Sequence, residues 1–279
     1  MSSGASADPA RRAPSNLRLR VLSSIVLIAA ATLLTWLGGL WFALFCALIG
    51  AAVFHEWAAI TQSRSASAHQ LVAAVLLAAV LMALLLGWLT VWWVVGALAL
   101  CAVSGLAFGR WGWTTAGLAY ALASALPLAL LRGDAAAGLA TVLLLFAVVW
   151  ATDILAYFVG RALGGPKLAP AISPGKTWSG ALGGAAGAVL AGLLTGWLLG
   201  IRLSAGLVAV LLILSVVSQA GDLFESWVKR RFAAKDSGAI IPGHGGVMDR
   251  VDGLVAAALA LYLIEAAARS GGPDWGLPL

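Results

Sequence analysis

The chain of 279 residues is 62% apolar by residue type and only 10% charged, against roughly 25% charged in an ordinary soluble domain. With a mean hydropathy of +1.00 and no charged side chain from Val21 to Phe54 or from Ser65 to Gly109, it has nothing from which to build a solvated surface; a water-soluble globule is excluded and the bilayer becomes its main solvent. The formal charge of +6 reads as the basic bias of membrane-protein loops, with no nucleic acid as partner, and the ten-residue alternation of a barrel is absent.

Residues 1–16, rich in Ser, Ala, Pro and Arg, cannot bury a core and are expected as a disordered cytoplasmic tail. Arg18 and Arg20 then precede an apolar run to Leu37. No A-x-A site closes that run and a second span follows directly, so it reads as an uncleaved first helix and not as a signal peptide. Gly, Pro and charge punctuation divides the chain into nine spans of about the length that a hydrocarbon core ~30 Å thick requires. They are 18–37, 40–57, 70–86, 88–108, 113–131, 135–158, 179–200, 203–222 and 251–268. Cys46 and Cys101 lie inside apolar runs and read as packing residues. The expected fold class is all-α: a polytopic integral membrane helix bundle of about nine transmembrane helices. Residues 17–134 form its N-terminal helices, 135–268 a C-terminal region that carries the chemistry, and 269–279 a short tail.

Orientation follows from the basic residues. With the N-terminus cytoplasmic, fourteen of the seventeen Lys and Arg fall inside and only Arg132, Arg202 and Arg269 outside, which leaves the C-terminus outside. Polarity is also uneven along the chain: Asp153, Asp222, Glu225, Asp236, Asp249 and Asp252 are six of the eleven acidic residues, and all four lysines lie between 167 and 235.

The densest polar stretch runs from Gln219 to Asp252. A helix over 222–233 puts Asp222, Ser226, Lys229 and Arg230 on one face and Leu223, Phe224, Trp227, Val228 and Phe232 on the other. Taken alone, such a helix holds anionic lipid headgroups. The loop behind it adds Gly243, Gly245 and Gly246, whose N–H groups suit a phosphate-binding nest, with His244 among them in a binding or orienting role. Asp249 and Asp252 share a face on the first turn of the last helix; they serve either the helix dipole or, together with Asp222, as hard oxygen ligands for Mg²⁺. Ser173-Pro174-Gly175-Lys176-Thr177 lacks the upstream Gly of a P-loop and reads as a short cytoplasmic loop offering Ser173, Lys176 and Thr177 to phosphate. Asp153 lies in or near the sixth span, where an ionisable residue is costly and usually functional. His55 and Glu56 read as interfacial.

Three segments then carry a resemblance. Ser226-Trp227-Val228-Lys229-Arg230, Lys235-Asp236-Ser237-Gly238 and Pro242-Gly243-His244-Gly245-Gly246-Val247-Met248-Asp249-Arg250-Val251-Asp252 resemble the signature of the phosphatidate cytidylyltransferase (CDP-diacylglycerol synthase) family. Gly221-Asp222, Asp153 with Tyr157, Gly160-Arg161 and the Ser173–Gly180 loop support it. That loop commonly reads Ser-Pro-Lys-Lys-Thr-Trp-Glu-Gly in the family, whereas here Gly175 replaces the first Lys and Ser179 the Glu.

The resemblance implies a multi-pass enzyme of the cytoplasmic (inner) membrane, often a homodimer, that joins CTP and phosphatidate into CDP-diacylglycerol and pyrophosphate. Its active site lies on the cytoplasmic face with Mg²⁺ and, as a second ion, K⁺. Carried over, Asp222 and Asp249 are the metal carboxylates and, with Lys229, Arg230 and His244, the catalytic set. Ser173, Lys176, Thr177, Ser226, Lys235, Asp236, Gly243, Gly245, Gly246 and Arg250 bind substrate, and Asp153 and Asp252 support them. The alternatives are a cation-coupled transporter using Asp153, Asp222 and Asp249, a related lipid-nucleotide transferase or lipid kinase with another acceptor, and a lipid-binding structural protein.

Overall fold

The computed structural model describes residues 13–61, 67–108, 111–133, 135–241, 245–273 and 275–277. Nine helices succeed one another among them: α1 (Ala13–Leu37), α2 (Gly39–Ile60), α3 (Ser67–Leu85), α4 (Val91–Phe108), α5 (Trp111–Arg132), α6 (Ala136–Leu163), α7 (Trp178–Leu198), α8 (Ala205–Arg231) and α9 (Met248–Arg269). Seven of them are long and apolar enough to cross a membrane; the apolar stretches Val21–Leu37 in α1 and Val91–Ala107 in α4 are shorter. The chain is a helical, multi-pass membrane protein.

Three boundaries differ from expectation. Helix α1 starts at Ala13, inside the stretch read as tail, because Pro14 in a first turn lacks only an N–H that has no helical partner anyway; residues 1–12 lie outside the described residues. The polar segment expected after a span ending at 222 is instead the continuation of α8, which runs unbroken to Arg231. At 1.5 Å per residue its 27 residues extend about 40 Å, beyond a core of ~30 Å, so its charged last turns stand clear of the hydrocarbon. The Ser173 loop, finally, is the second strand of a hairpin, β1 (Lys167–Ala169) with β2 (Ser173–Thr177), antiparallel with Lys167 opposite Thr177 and Ala169 opposite Ser173.

Side-chain contacts fix the alternation of the helices. At one end of the bundle Trp57 of α2 stacks near Trp113 of α5 and Phe224 of α8, and Trp113 meets Trp227 and Phe232 at the end of α8. At the other end Arg132 of α5 donates to the carbonyls of Thr35 and Trp36 in the last turn of α1, at 2.6 and 3.3 Å, supplying donors to carbonyls that the helix end leaves without them. The hairpin, the end of α8 and the start of α9 therefore belong to the same end as Glu56 and Trp57.

Lipid gives helices little hydrophobic reason to associate, so close packing and small residues must hold them together. The most extensive helix pair is α6 with α7. A Cβ on Gly180 would lie 2.7 Å from the Ala156 carbonyl oxygen, and one on Gly184 2.8 Å from that of Thr152; only glycine allows these backbones to touch. That seam fixes the face of α6 bearing Asp153 against the start of α7. Leu207, Leu211 and Leu214 of α8 and Leu261 of α9, all fully buried, seat the last two helices against it.

Candidate active site

The hairpin, the last turns of α6, the start of α7 and the middle of α8 enclose a cavity of about 580 Å³ lined by Asp153, Tyr157, Arg161, Lys176, Gln219 and Asp222 among others. Gly164 and Gly165, at φ 62° and 100°, end α6 and release the chain into the hairpin. Thr177 ends β2 and caps α7, its Oγ1 accepting from Gly180 N at 3.1 Å; such a cap satisfies a donor the helix cannot. With the strand thus anchored, Lys176 forms an ion pair with Asp222, each side chain about a quarter exposed, 26% and 29%. Ser226, one turn on, donates to Asp222 Oδ1 at 3.4 Å. Arg161 Nη1 donates to the Tyr157 hydroxyl at 3.0 Å on the opposite wall.

A second cluster lies deeper, between the end of α8 and the start of α9. Lys229 Nζ is 2.6 Å from Glu225 Oε2 and 2.7 Å from Asp249 Oδ1, and Glu225 is buried. The other oxygen of Asp249 accepts from the N–H groups of Ser237, at 2.9 Å, and Gly246, at 3.0 Å. The carboxylate of Asp252 is within electrostatic reach of Asp222, Glu225 and Asp153, and that of Asp153 within reach of Asp222, so Asp252 links the cavity to the deeper cluster. Asp252 also accepts from Gly253 N at 2.7 Å. Among the described residues no group of three or more His, Cys, Asp or Glu side chains converges on a point where a metal ion would sit.

The clasp over this cluster comes from an unexpected residue. Glu56, read from the sequence as interfacial, is 1% exposed and reaches from the end of α2 into the signature segment. Its carboxylate accepts from Ser237 Oγ at 3.1 Å, Val247 N at 2.8 Å and Met248 N at 2.7 Å. Helix α9 has no side-chain cap of its own at Val247, so Glu56 supplies, from a distant helix, the anion that a helix N-terminus favours. Two signature glycines make room for it: a Cβ on Gly238 would lie 2.8 Å from Glu56 Oε1, and one on Gly246 2.6 Å from Oε2. The Gly246 N–H expected to face phosphate thus faces Asp249.

The other expected residues are more dispersed. Arg230 is exposed, its guanidinium on the carbonyls of Ile172, at 3.4 Å, and Ala234, at 3.3 Å, which ties α8 to the hairpin turn; unlike Lys229, it does not join the acidic cluster. Lys235 and Asp236 are exposed beyond α8, and Ser173 is half-buried in β2; none of the three lines the cavity. Gly245, at φ 85°, accepts from Ile241 N at 2.9 Å. Arg250 lines an apolar recess elsewhere. Gly243 and His244 lie outside the described residues. Of the two departures from the family loop, Ser179 donates to the Gly164 carbonyl, while a Cβ on Gly175 would meet nothing within 4 Å.

The chain is similar to known proteins over most of its length. The model of the cytidylyltransferase family matches residues 18–267. A phosphatidate cytidylyltransferase from Brucella abortus biovar 1 (strain 9-941) is 53% identical over 255 residues, 90% of this chain and 94% of its own. One from Pseudomonas aeruginosa is 37% identical over 277 residues, 92% of this chain and all of its own. One from Rickettsia bellii (strain RML369-C) is 39% identical over 148 residues, 44% of this chain and 57% of its own.

Proposed function

The chain belongs to the cytidylyltransferase family, and from that premise we propose that it is a phosphatidate cytidylyltransferase, converting CTP and phosphatidate to CDP-diacylglycerol and pyrophosphate in phospholipid synthesis. The observation that carries the reading is the cavity at one end of the bundle, where Lys176 and Asp222 form an exchangeable pair beside the Lys229–Asp249 pair. A polar site at the end of a membrane bundle meets both a water-borne nucleotide and a lipid headgroup. The basic residues of the loops argue that this end is cytoplasmic, and the family resemblance implies that the membrane is the inner one. The resemblance also carries a homodimer as the expected assembly, which the mass of the detergent-solubilised particle tests.

In the proposed step an oxygen of the phosphatidate phosphate attacks the α-phosphorus of CTP, the bond from that phosphorus to the bridging oxygen breaks, and pyrophosphate leaves. The second pKa of a phosphate monoester is near ~6, so the nucleophile is already anionic and no strong protein base is needed. What the chain must provide is positioning and charge neutralisation. Lys176 and Arg161 face the cavity and engage phosphate oxygens, Asp153 and Gln219 complete its polar lining, and Glu56 and Ser237 hold the first turn of α9 in register with Lys229.

The donor chemistry fits a divalent cation. Asp222 and Asp249 offer hard carboxylate oxygens, each already compensated by one lysine ammonium, and they would hold Mg²⁺ with substrate phosphates and water completing its shell. When bound, the ion neutralises charge on the transferring nucleotide. The first experiment is CDP-diacylglycerol formation from radiolabelled CTP and phosphatidate by purified protein, with EDTA and Mg²⁺ add-back, with and without K⁺. Product that requires Mg²⁺ and is absent from Asp249→Asn supports the reading. No product from folded protein with phosphatidate, and product with another lipid acceptor, refutes it.

A further inference from the structure

A second recess, of about 570 Å³, lies between α1, α2, α6 and α9. Ile28, Ala31, Leu48, Ala52, Phe146 and Trp150 form its walls, and Val247 and Arg250 stand at its end beside the signature segment. Arg250 is the one charged residue among those lining it. The volume is that of a small-molecule site, and its build is that of a membrane lipid: a cation at the polar end of the bundle and apolar walls running inward as far as Leu128 of α5.

The recess and the polar cavity share helix α6, and on α9 a residue lining the recess follows directly on Asp249 of the buried cluster. On α9, Asp249 and Arg250 are successive residues about 100° apart; the carboxylate meets Lys229 while Arg250 lines the recess. On α6, Trp150 and Asp153 are three apart and share a face; the first lines the recess and the second the cavity. A ligand with its tail against Trp150 and its head at Arg250 lies against both of the helices that carry these carboxylates.

We infer that this recess seats the lipid substrate, its acyl chains between α1, α2, α6 and α9 and its phosphate held at Arg250, and that these walls set acyl-chain preference. The inference rests on the cytidylyltransferase reading for the identity of the lipid. The charge at the mouth selects an anionic headgroup, and the apolar length selects a chain over a soluble phosphate ester.

The test has two arms. Ala52→Trp, and independently Ala31→Phe from the facing wall, narrow the recess. The ratio of kcat/KM for dioleoyl to dihexanoyl phosphatidate is expected to fall about tenfold, the factor for losing contact over roughly two methylenes. An unchanged ratio in a folded variant overturns the assignment. In the second arm wild-type protein is photolabelled with phosphatidate carrying a diazirine on the acyl chain and the modified peptides are mapped. Label within 24–31, 45–52 or 247–254 that excess phosphatidate suppresses and phosphatidylcholine does not is the expected result. Label elsewhere, or equal suppression by both lipids as for bulk bilayer, overturns it. Because labelling needs no turnover, selective label in an inactive protein keeps the lipid seat and sinks the cytidylyltransferase reading, whereas turnover with label elsewhere does the reverse.

Discussion

Replacing Glu56 tests whether a carboxylate on α2 organises a site built mainly by α8 and α9. Three donors converge on it, Ser237 Oγ and the N–H groups of Val247 and Met248 at 2.7–3.1 Å, and a hydrogen bond to a charged group is worth about 1.5–3 kcal/mol. Glu56→Gln keeps one oxygen acceptor but turns an NH₂ toward a backbone donor, so one bond is lost and one donor stranded. The expected cost is about 2–3 kcal/mol. Glu56→Ala strands both N–H groups in a buried pocket and is expected to cost about 3–5 kcal/mol, the scale for breaking a buried charged network. Catalysis falls with stability, because Ser237 and Gly246 donate to Asp249 from the same clasp; a displacement of about 1 Å there lowers kcat on the order of 100-fold. Unfolding can be followed with a thiol-reactive fluorophore, since Cys46 and Cys101 are both buried and free. Glu56→Gln with the melting temperature and kcat of the parent would refute the clasp.

Asp249→Asn removes one of the two charged partners of Lys229 and is expected to lower kcat by at least about 100-fold in a protein that still folds; near-normal turnover excludes Asp249 from the reaction. Lys176→Ala frees Asp222 and is expected to raise KM for CTP about tenfold, roughly the value of one charged contact, and unchanged kinetics would remove the hairpin from the site. Gly175→Lys restores a cation where the structure leaves open space, and a several-fold lower KM for CTP is expected at low salt, the gain shrinking as salt screens it; a rise in KM counts against the cavity as the nucleotide site. Arg132→Ala breaks the tie between α5 and the end of α1 and is expected to lower stability by about 2–4 kcal/mol with KM unaltered, measured by the same thiol assay; an unchanged melting temperature refutes that role.

Apolar runs in this chain are legible because a bilayer demands a nearly fixed length of each, and the nine helices follow the nine expected segments in order. The polar signature was legible because Asp222, Lys229, Asp249 and Asp252 are close in sequence. Glu56 was not, since its partners lie 181 to 192 residues away and a single Glu near the end of an apolar helix looks the same whether it faces water or caps a remote helix. The signal that was there is the cost of an ionisable residue in such a helix. The unbroken length of α8 was hidden for the opposite reason: charges after Asp222 look like the end of a span, yet a helix longer than the hydrocarbon simply carries them out of it. Strands of three and five residues are too short to show a period.

The two lysine–carboxylate pairs differ in a way that assigns them different work. Lys176 and Asp222 are each about a quarter exposed, so water screens their attraction and the pair is worth little; an arriving polyphosphate can take the lysine and leave Asp222 available to a cation. Lys229 sits between Glu225 and Asp249 with side-chain exposures of 12%, 1% and 10%. Opening that cluster would leave a buried charge unpaired, at a cost far above that of an exposed pair. The deeper lysine therefore keeps its partners while substrate comes and goes, holding α8 to α9. Binding selectivity belongs to the hairpin, which can exchange its ion pair, and orientation belongs to the buried cluster, which Glu56 locks from outside.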